Sequence, residues 1–206
     1  TGALHIVGEA YPFSKESSML LTADNHNSVN GIREYCRKKG GKVNYCSMTS
    51  KELAINEKEL TALLETESNQ PNKLFAFPAQ SNVSGVKHSL DWINKAKANN
   101  WDVLLDAAAY APTSKLDLQK YQPDFVSISF YKIFGYPTGI GCLLVKKTSF
   151  NKLEKHWFAG GTILLSGVKH QGHFLKNDHE KFENGTVNYL GIPALIAGIS
   201  FINSIG

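Results

Sequence analysis

The 206-residue chain is 42% hydrophobic, which is enough to bury a core in one or two domains and excludes a largely disordered protein. Its formal net charge of +4 is spread along the sequence, which argues against nucleic acid or an anionic membrane surface as a partner. The longest apolar-rich run, residues 192–202, is about half as long as a bilayer-spanning helix, so we expect no membrane span.

The chain begins on a predicted helix. Thr1 stands at its start, and Leu4, Ile6 and Val7 follow near helical spacing. Neither an initiator methionine nor a targeting peptide precedes this helix. We therefore expect the chain to be a fragment of a longer protein.

Strands and amphipathic helices then alternate along the chain. The strand-like run MLLTA precedes a helical pattern in which Val29, Ile32 and Cys36 share one face and Gly40 is the predicted stop. Two further helical patterns, NEKELTALLET and HSLDWINKAKANN, lie between the strand-like runs KVNYCS, KLFAFPA, WDVLLDAAA, DFVSISF and GIGCLLVKK. This order predicts an α/β fold with a mainly parallel sheet and helices on both faces.

The three cysteines indicate a reducing compartment. Cys36, Cys46 and Cys142 show neither CxxC spacing nor the even count of a disulfide scaffold. Each falls within a predicted helix or strand, so we interpret them as buried structural thiols. The predicted location is therefore cytoplasmic.

Polar residues follow the predicted strands at the edge where a parallel sheet binds ligands. They are His26, Asn82, Asp106, Ser129 and Lys132. Taken singly, each is ordinary as a helix cap, a turn former or a solvated side chain. Taken together, they predict one site.

Lys132 is the residue that suggests the chemistry of this site. It lies in SFYKIFGYPTGIG among aromatic and aliphatic neighbours, which predicts a partly desolvated amine, free to form a Schiff base with a cofactor aldehyde. Pyridoxal 5′-phosphate (PLP) also needs a carboxylate at its pyridine nitrogen, and Asp106 suits that role. His26 could stack on the ring and Asn82 could donate a hydrogen bond near it.

The phosphate of PLP needs hydroxyl groups and backbone N–H groups at the start of a helix. Ser129 and Thr1 could both provide them.

Rival sites fit less well. The chain has no G-x-x-x-x-G-K-[ST], and its glycines do not form G-x-G-x-x-G after the first strand. His170, His173, Asp178 and His179 lie in a segment of loop composition with no accompanying cysteine, so we assign no metal.

Residues 104–145 closely resemble the lysine-bearing segment of molybdenum cofactor sulfurases, whose amino-terminal part is a NifS-like, class V aminotransferase-type domain. ADNHNSVNGIREY, FAGGT and FENGTVNYLGIPAL extend the resemblance over nearly the whole chain. Tyr131 makes it specific, because general cysteine desulfurases usually carry histidine just before the lysine.

The resemblance implies a fold-type I PLP-dependent transferase large domain in residues 1–160, lacking its amino-terminal part. Residues 161–206 would be a partial linker and the start of a C-terminal lobe. The implied cofactor contacts are Lys132 as the Schiff-base lysine, Asp106, His26, Asn82, Ser129 and Thr1. Thr162 would reach the phosphate of the neighbouring subunit in a homodimer, and Tyr131 would assist proton transfer at the substrate thiol.

Two departures from the family pattern are visible. Ala109 stands where general desulfurases place a glutamine near the ring oxygen. The family's persulfide-forming cysteine and its molybdenum-cofactor-binding C-terminal domain are both expected beyond residue 206.

The predicted function is a PLP-dependent sulfurtransferase that takes sulfur from L-cysteine, releases alanine and sulfurates the molybdenum cofactor. One alternative is a general cysteine desulfurase or a selenocysteine lyase. The other is a catalytically incomplete fragment that only binds cofactor or a partner.

Overall fold

The computed structural model describes residues 1–66 and 70–205. Its chain forms two compact units, Thr1–Leu153 and Glu154–Gly206. The assignment of residues 1–160 to a large domain and of 161–206 to a linker and C-terminal lobe stays a prediction.

The first unit alternates strands with helices. Its strands are β1 (Ser18–Thr22), β2 (Lys42–Cys46), β3 (Lys73–Pro78), β4 (Asp102–Asp106), β5 (Phe125–Ser129) and β6 (Gly141–Val145). Its helices are α1 (Gly2–Ala10), α2 (Asn27–Asn30), α3 (Arg33–Lys38), α4 (Glu57–Thr66), α5 (Asp91–Ala98), α6 (Tyr131–Phe134) and α7 (Lys147–Phe150).

The six strands form one sheet in the order β2-β1-β3-β4-β5-β6. All neighbours are parallel except β5 and β6, which are antiparallel. Asp106 lies opposite Ser127 in the register of β4 and β5. The mainly parallel sheet predicted from the sequence is confirmed, and the polar ends of β4 and β5 lie side by side.

Helices cover both faces of this sheet. Leu20, Phe75 and Leu105 belong to a buried core that also contains Leu60 of α4 and Ile93 of α5. Because side chains alternate along a strand, the neighbouring strand residues face the other side, where α1 contacts β5 and β6 and α3 contacts β1 and β2. Both faces are apolar, which is why β1 and β3 read as continuous apolar runs.

The single helix predicted after β1 is in fact two short helices. The predicted face is correct, since Val29, Ile32 and Cys36 are all buried. The helix is interrupted at residues 31–32, between α2 and α3. Gly40, the predicted stop, follows the C-cap of α3 with φ of 80°, a left-handed conformation that glycine adopts without strain.

The second unit contains a short antiparallel hairpin and a helix. Its strands are β7 (Ile163–Ser166) and β8 (His173–Leu175), followed by a 3₁₀ turn at His179–Phe182 and by α8 (Ala194–Ile205). The apolar-rich run at residues 192–202 thus lies mostly within α8. Within residues 1–66 and 70–205, no helix has the length and apolar character needed to cross a membrane.

Candidate cofactor site

A cavity of about 440 Å³ opens in the first unit where β4 and β5 end. Six of the predicted site residues line it: Thr1, His26, Asp106, Ser129, Tyr131 and Lys132. They come from four different segments of the chain, so the fold brings together side chains that lie far apart in sequence. The predicted residues at the ends of β4 and β5 thus line one cavity, and their roles stay predictions.

Asp106, the last residue of β4, is buried at the floor of the cavity. Its Oδ1 accepts hydrogen bonds from the backbone N–H of Ala108 at 3.0 Å and from Ser127 Oγ at 2.9 Å. Among the described residues both hydrogen bonds end on Oδ1, which leaves Oδ2 for a group in the cavity. The carboxylate is therefore held in one orientation with one oxygen available.

Lys132 follows β5 by three residues and lies in the short helix α6. Its side chain is exposed and lines the cavity, so the predicted desolvation by its aromatic neighbours is wrong. The physical reason is that consecutive helical residues point in different directions. Phe130 and Phe134 stack on each other, with ring centroids 6.4 Å apart.

His26 is fixed by the start of α2. As the N-cap of this helix, its Nδ1 accepts a hydrogen bond from the backbone N–H of Ser28 at 3.1 Å. An accepting Nδ1 places the ring proton on Nε2. The exposed imidazole is thus held at the cavity by a local helix cap.

Thr1 lies at the N-terminus of α1, which also borders the cavity. Its Oγ1 is 2.8 Å from Ser28 Oγ and makes no cap hydrogen bond to its own helix. Gly2 and Ala3, in the first turn of α1, line the cavity beside it. Backbone N–H groups at a helix start attract anions, so this end of the cavity suits a negatively charged group.

Asn82 does not line the cavity, and Thr162 belongs to the second unit. Asn82 is exposed in the turn after β3, where Ser81 Oγ instead accepts the backbone N–H groups of Val83 and Ser84. Thr162, in the second unit, is buried. Its hydroxyl accepts a hydrogen bond from the backbone N–H of Ala159 at 2.9 Å and donates one to the backbone carbonyl of Ala159 at 2.8 Å. The cofactor roles of Asn82 and Thr162 stay predictions.

Sequence reasoning missed Ser127 and Ser28, the residues that orient the predicted ones. Ser127 lies two residues before Ser129 on the same face of β5, so strand alternation could have identified it. Ser28 contacts both His26 and Thr1, but the contact to Thr1 spans 27 residues of sequence. No local pattern predicts that second contact.

The cysteine thiols are unsuited to nucleophilic chemistry. Burial raises the pKa of Cys36 to about 11. Burial, together with the charge of Glu59, raises the pKa of Cys46 to about 12. Burial also raises the pKa of Cys142, although that side chain is only half-buried rather than buried as predicted. All three are therefore protonated at neutral pH.

Known proteins resemble this chain in family, in sequence and in fold. The family model described as "Aminotransferase class-V" matches residues 1–206. The chain belongs to the class-V aminotransferase family. A molybdenum cofactor sulfurase of Bombyx mori is 43% identical to this class-V chain in an alignment that covers 95% of the chain. The same alignment covers only 26% of the Bombyx mori relative.

Solved structures share the fold of this class-V chain. A cysteine desulfurase from Thermococcus onnurineus NA1, solved in its apo form, has a TM-score of 0.87 and 27% identity, covering 99% of the chain and 50% of that structure. C-DES, solved with glycine covalently linked to its PLP cofactor, has a TM-score of 0.80 and 18% identity, covering 100% of the chain and 54% of that structure. The neighbours confirm the α/β fold-type I class.

Gly141 lies where the cavity meets the β5–β6 ladder, opposite Ser129. A Cβ built on it would lie 2.6 Å from the backbone oxygen of Ile128, so Gly141→Ala must push the two strands apart. We expect it to lower the free energy of unfolding by about 1–3 kcal/mol, measured by urea denaturation. Gly31→Ala is the matched control, because a Cβ there meets only an ordinary contact at 3.4 Å. Equal effects of the two variants would contradict the expectation.

Proposed function

We propose that the chain is the PLP-binding part of a sulfurtransferase of the molybdenum cofactor sulfurase type. The whole protein would take sulfur from L-cysteine, release alanine and pass the sulfur to the molybdenum cofactor. The observation that carries this proposal is the cavity, which presents the Lys132 amine and the Asp106 carboxylate together. The name of the Bombyx mori relative supports the choice of acceptor.

The residues at the cavity fit PLP. This cofactor supplies an aldehyde that reacts with amines and a ring that withdraws electrons from the substrate Cα. Lys132 would hold the aldehyde carbon, and Asp106 Oδ2 would accept a hydrogen bond from the protonated ring nitrogen. Thr1, Ser129 and the first N–H groups of α1 would bind the phosphate, since they combine hydroxyl donors with the positive end of a helix.

The chain's own groups would then move the protons of the reaction. Once L-cysteine is bound, the free amine of Lys132 would take the proton from the substrate Cα. Tyr131, which is adjacent in sequence, 42% exposed and part of the cavity lining, would exchange a proton with the substrate thiol. His26 would stack on the ring face and Asn82 would contact cofactor or substrate.

The proposal extends to the setting of the reaction. The protein would be a cytoplasmic homodimer without nucleic-acid or membrane partners, and the three free cysteines support a reducing compartment. Thr162 would contact the phosphate of the neighbouring subunit. Because its hydroxyl donates to the Ala159 carbonyl, this role requires that hydrogen bond to be exchanged for one to the phosphate.

A general cysteine desulfurase is the second candidate, with selenocysteine lyase as a variant of it. The Thermococcus onnurineus cysteine desulfurase favours this candidate through its TM-score of 0.87 at 27% identity. Tyr131 and the 43% identity to a molybdenum cofactor sulfurase favour the first. A chain that binds the cofactor without catalysis is the third candidate, since the chain spans only 26% of the Bombyx mori relative.

A spectroscopic titration tests the proposed function. Purified chain is titrated with PLP, and the bound cofactor is followed by its visible absorbance. We expect saturable binding, followed by a spectral change on addition of L-cysteine that equimolar L-serine does not produce. Absence of saturable binding would contradict the cofactor site, whereas binding without a selective response to L-cysteine would contradict only the substrate.

A further inference from the structure

A buried carboxylate and a buried imidazole are in contact close to the cofactor site, although neither lines the cavity. The side chains of His88 and Asp24 are 2% and 0% exposed, and His88 Nε2 lies 2.7 Å from Asp24 Oδ2. His88 also stacks on Trp92, with ring centroids 4.9 Å apart and planes at 25°. The contact joins the loop after β1 to the segment between β3 and α5.

Two further contacts hold the same loop. Ser81 Oγ donates to the backbone carbonyl of Asp24 at 3.4 Å. Asn25 Nδ2 donates to the carbonyl of Ala76, on the neighbouring strand β3, at 3.0 Å. Residues 24 and 25, which come directly before His26, are therefore attached to β3 and its following segment at three points.

The contact between Asp24 and His88 is poorly suited to a purely stabilising role. Asp24 Oδ1 is buried and has no hydrogen-bond partner among the described residues, so the desolvation of the carboxylate is only partly compensated. Burial alone would raise the pKa of Asp24, but the hydrogen bond and charge of His88, with smaller contributions from the hydroxyl groups of Thr22 and Ser81, hold that pKa below its ordinary value. A buried, ionised carboxylate with one oxygen unsatisfied is better accounted for by a geometric role.

We infer that Asp24 and His88 are positioning residues for the cofactor site, because their contact fixes the loop that presents the His26 ring to the cavity. The inference rests on the proposed function, since a fixed His26 matters only where a flat group stacks on it. Asp24 acts through the backbone two residues ahead of His26. Loss of the contact leaves Lys132 and Asp106 in place but loosens the ring beside them.

The test compares His88→Phe with His88→Gln. Phenylalanine keeps the stacking on Trp92 and loses the donor to Asp24, whereas glutamine keeps an N–H donor. We expect His88→Phe to raise the Kd for PLP about tenfold and to weaken the visible circular dichroism band of the bound cofactor. His88→Gln should keep the Kd for PLP and the dichroism band close to their wild-type values. Asp24→Leu, which keeps the approximate size of the side chain and removes the acceptor for His88, carries the same expectation if His88→Phe does not fold.

Lys97→Met is the matched control. It removes one partner of another buried carboxylate, Asp124, whose Oδ2 lies 2.9 Å from Lys97 Nζ just before the start of β5. The N–H of Val103 and the hydroxyl of Ser149 still donate to that carboxylate. This variant should lower thermal stability and leave the Kd and the dichroism band unchanged. If Lys97→Met changed the Kd for PLP and the dichroism band as much as His88→Phe does, the inference would be overturned.

Hydrogen exchange on the chain without PLP provides a second measurement. In His88→Phe we expect faster amide exchange in residues 22–31 and 79–88 than in the wild type. Unchanged exchange and unchanged PLP binding in His88→Phe overturn the inference while the proposed function stands. A wild-type chain that does not bind PLP overturns both.

Discussion

Replacing Lys132 by alanine is expected to abolish covalent attachment of PLP to the chain. Of the described residues that line the cavity, Lys132 alone carries an amine on its side chain. An aldehyde held there has no second lysine within the site to react with. Treatment with borohydride followed by peptide mass mapping should find the adduct on Lys132 in the wild type and only background labelling in Lys132→Ala.

Lys95→Ala is the control for this measurement. Lys95 is an exposed lysine on α5, away from the cavity lining, so its loss should leave the adduct on Lys132 at wild-type yield. An adduct of undiminished yield in Lys132→Ala, mapped to another lysine, would show that the cofactor lysine has been assigned to the wrong residue. Both variants change exposed side chains, so neither should alter the melting temperature by much.

Replacing Asp106 by asparagine is expected to separate folding from cofactor binding. The asparagine oxygen can still accept from the Ala108 N–H and from Ser127 Oγ, so the fold should persist. The negative charge that would face the ring nitrogen is lost, and an amide N–H₂ replaces Oδ2. Because a hydrogen bond to a charged group contributes about 1.5–3 kcal/mol, the Kd for PLP should rise about ten- to hundredfold.

Ser127→Ala provides the comparison for Asp106→Asn. It removes one of the two hydrogen bonds that orient the Asp106 carboxylate but keeps the charge. We expect only a few-fold weaker PLP binding from it, at about 1 kcal/mol. Both Kd values would come from absorbance titration, with thermal melts to confirm folding. Wild-type affinity in folded Asp106→Asn would remove Asp106 from the cofactor site.

The sheet could be predicted from the sequence because its strands are buried on both faces. The centres of β1 and β3 are continuous apolar runs, which between amphipathic helices are typical of a parallel sheet that helices cover on both sides. Once the strands are known, parallel pairing places their carboxyl ends together. This argument is sufficient to identify His26, Asp106 and Lys132 as neighbours of one cavity.

What could not be predicted depends on register and on contacts between distant segments. The Asp24–His88 contact joins residues 64 apart, and neither residue type is unusual in a turn. The exposure of Lys132 depends on the direction of each side chain in a one-turn helix, which sequence neighbours do not reveal. Asn82 is predicted to be a site residue because it follows a strand and has a polar side chain. In the structure the neighbouring Ser81 accepts the backbone hydrogen bonds of that turn.

The antiparallel strand β6 determines how the segment that carries Lys132 folds. Because β6 is antiparallel to β5, the chain leaves and re-enters the sheet at the same edge, and Phe130 N–H donates to Ile140 O across the start of the connection. The loop is therefore closed by residues near each other in sequence, which costs little chain entropy and favours rapid formation. The segment that carries Lys132 can therefore form as a local hairpin, whereas the contact between Asp24 and His88 requires pairing of segments 64 residues apart in sequence.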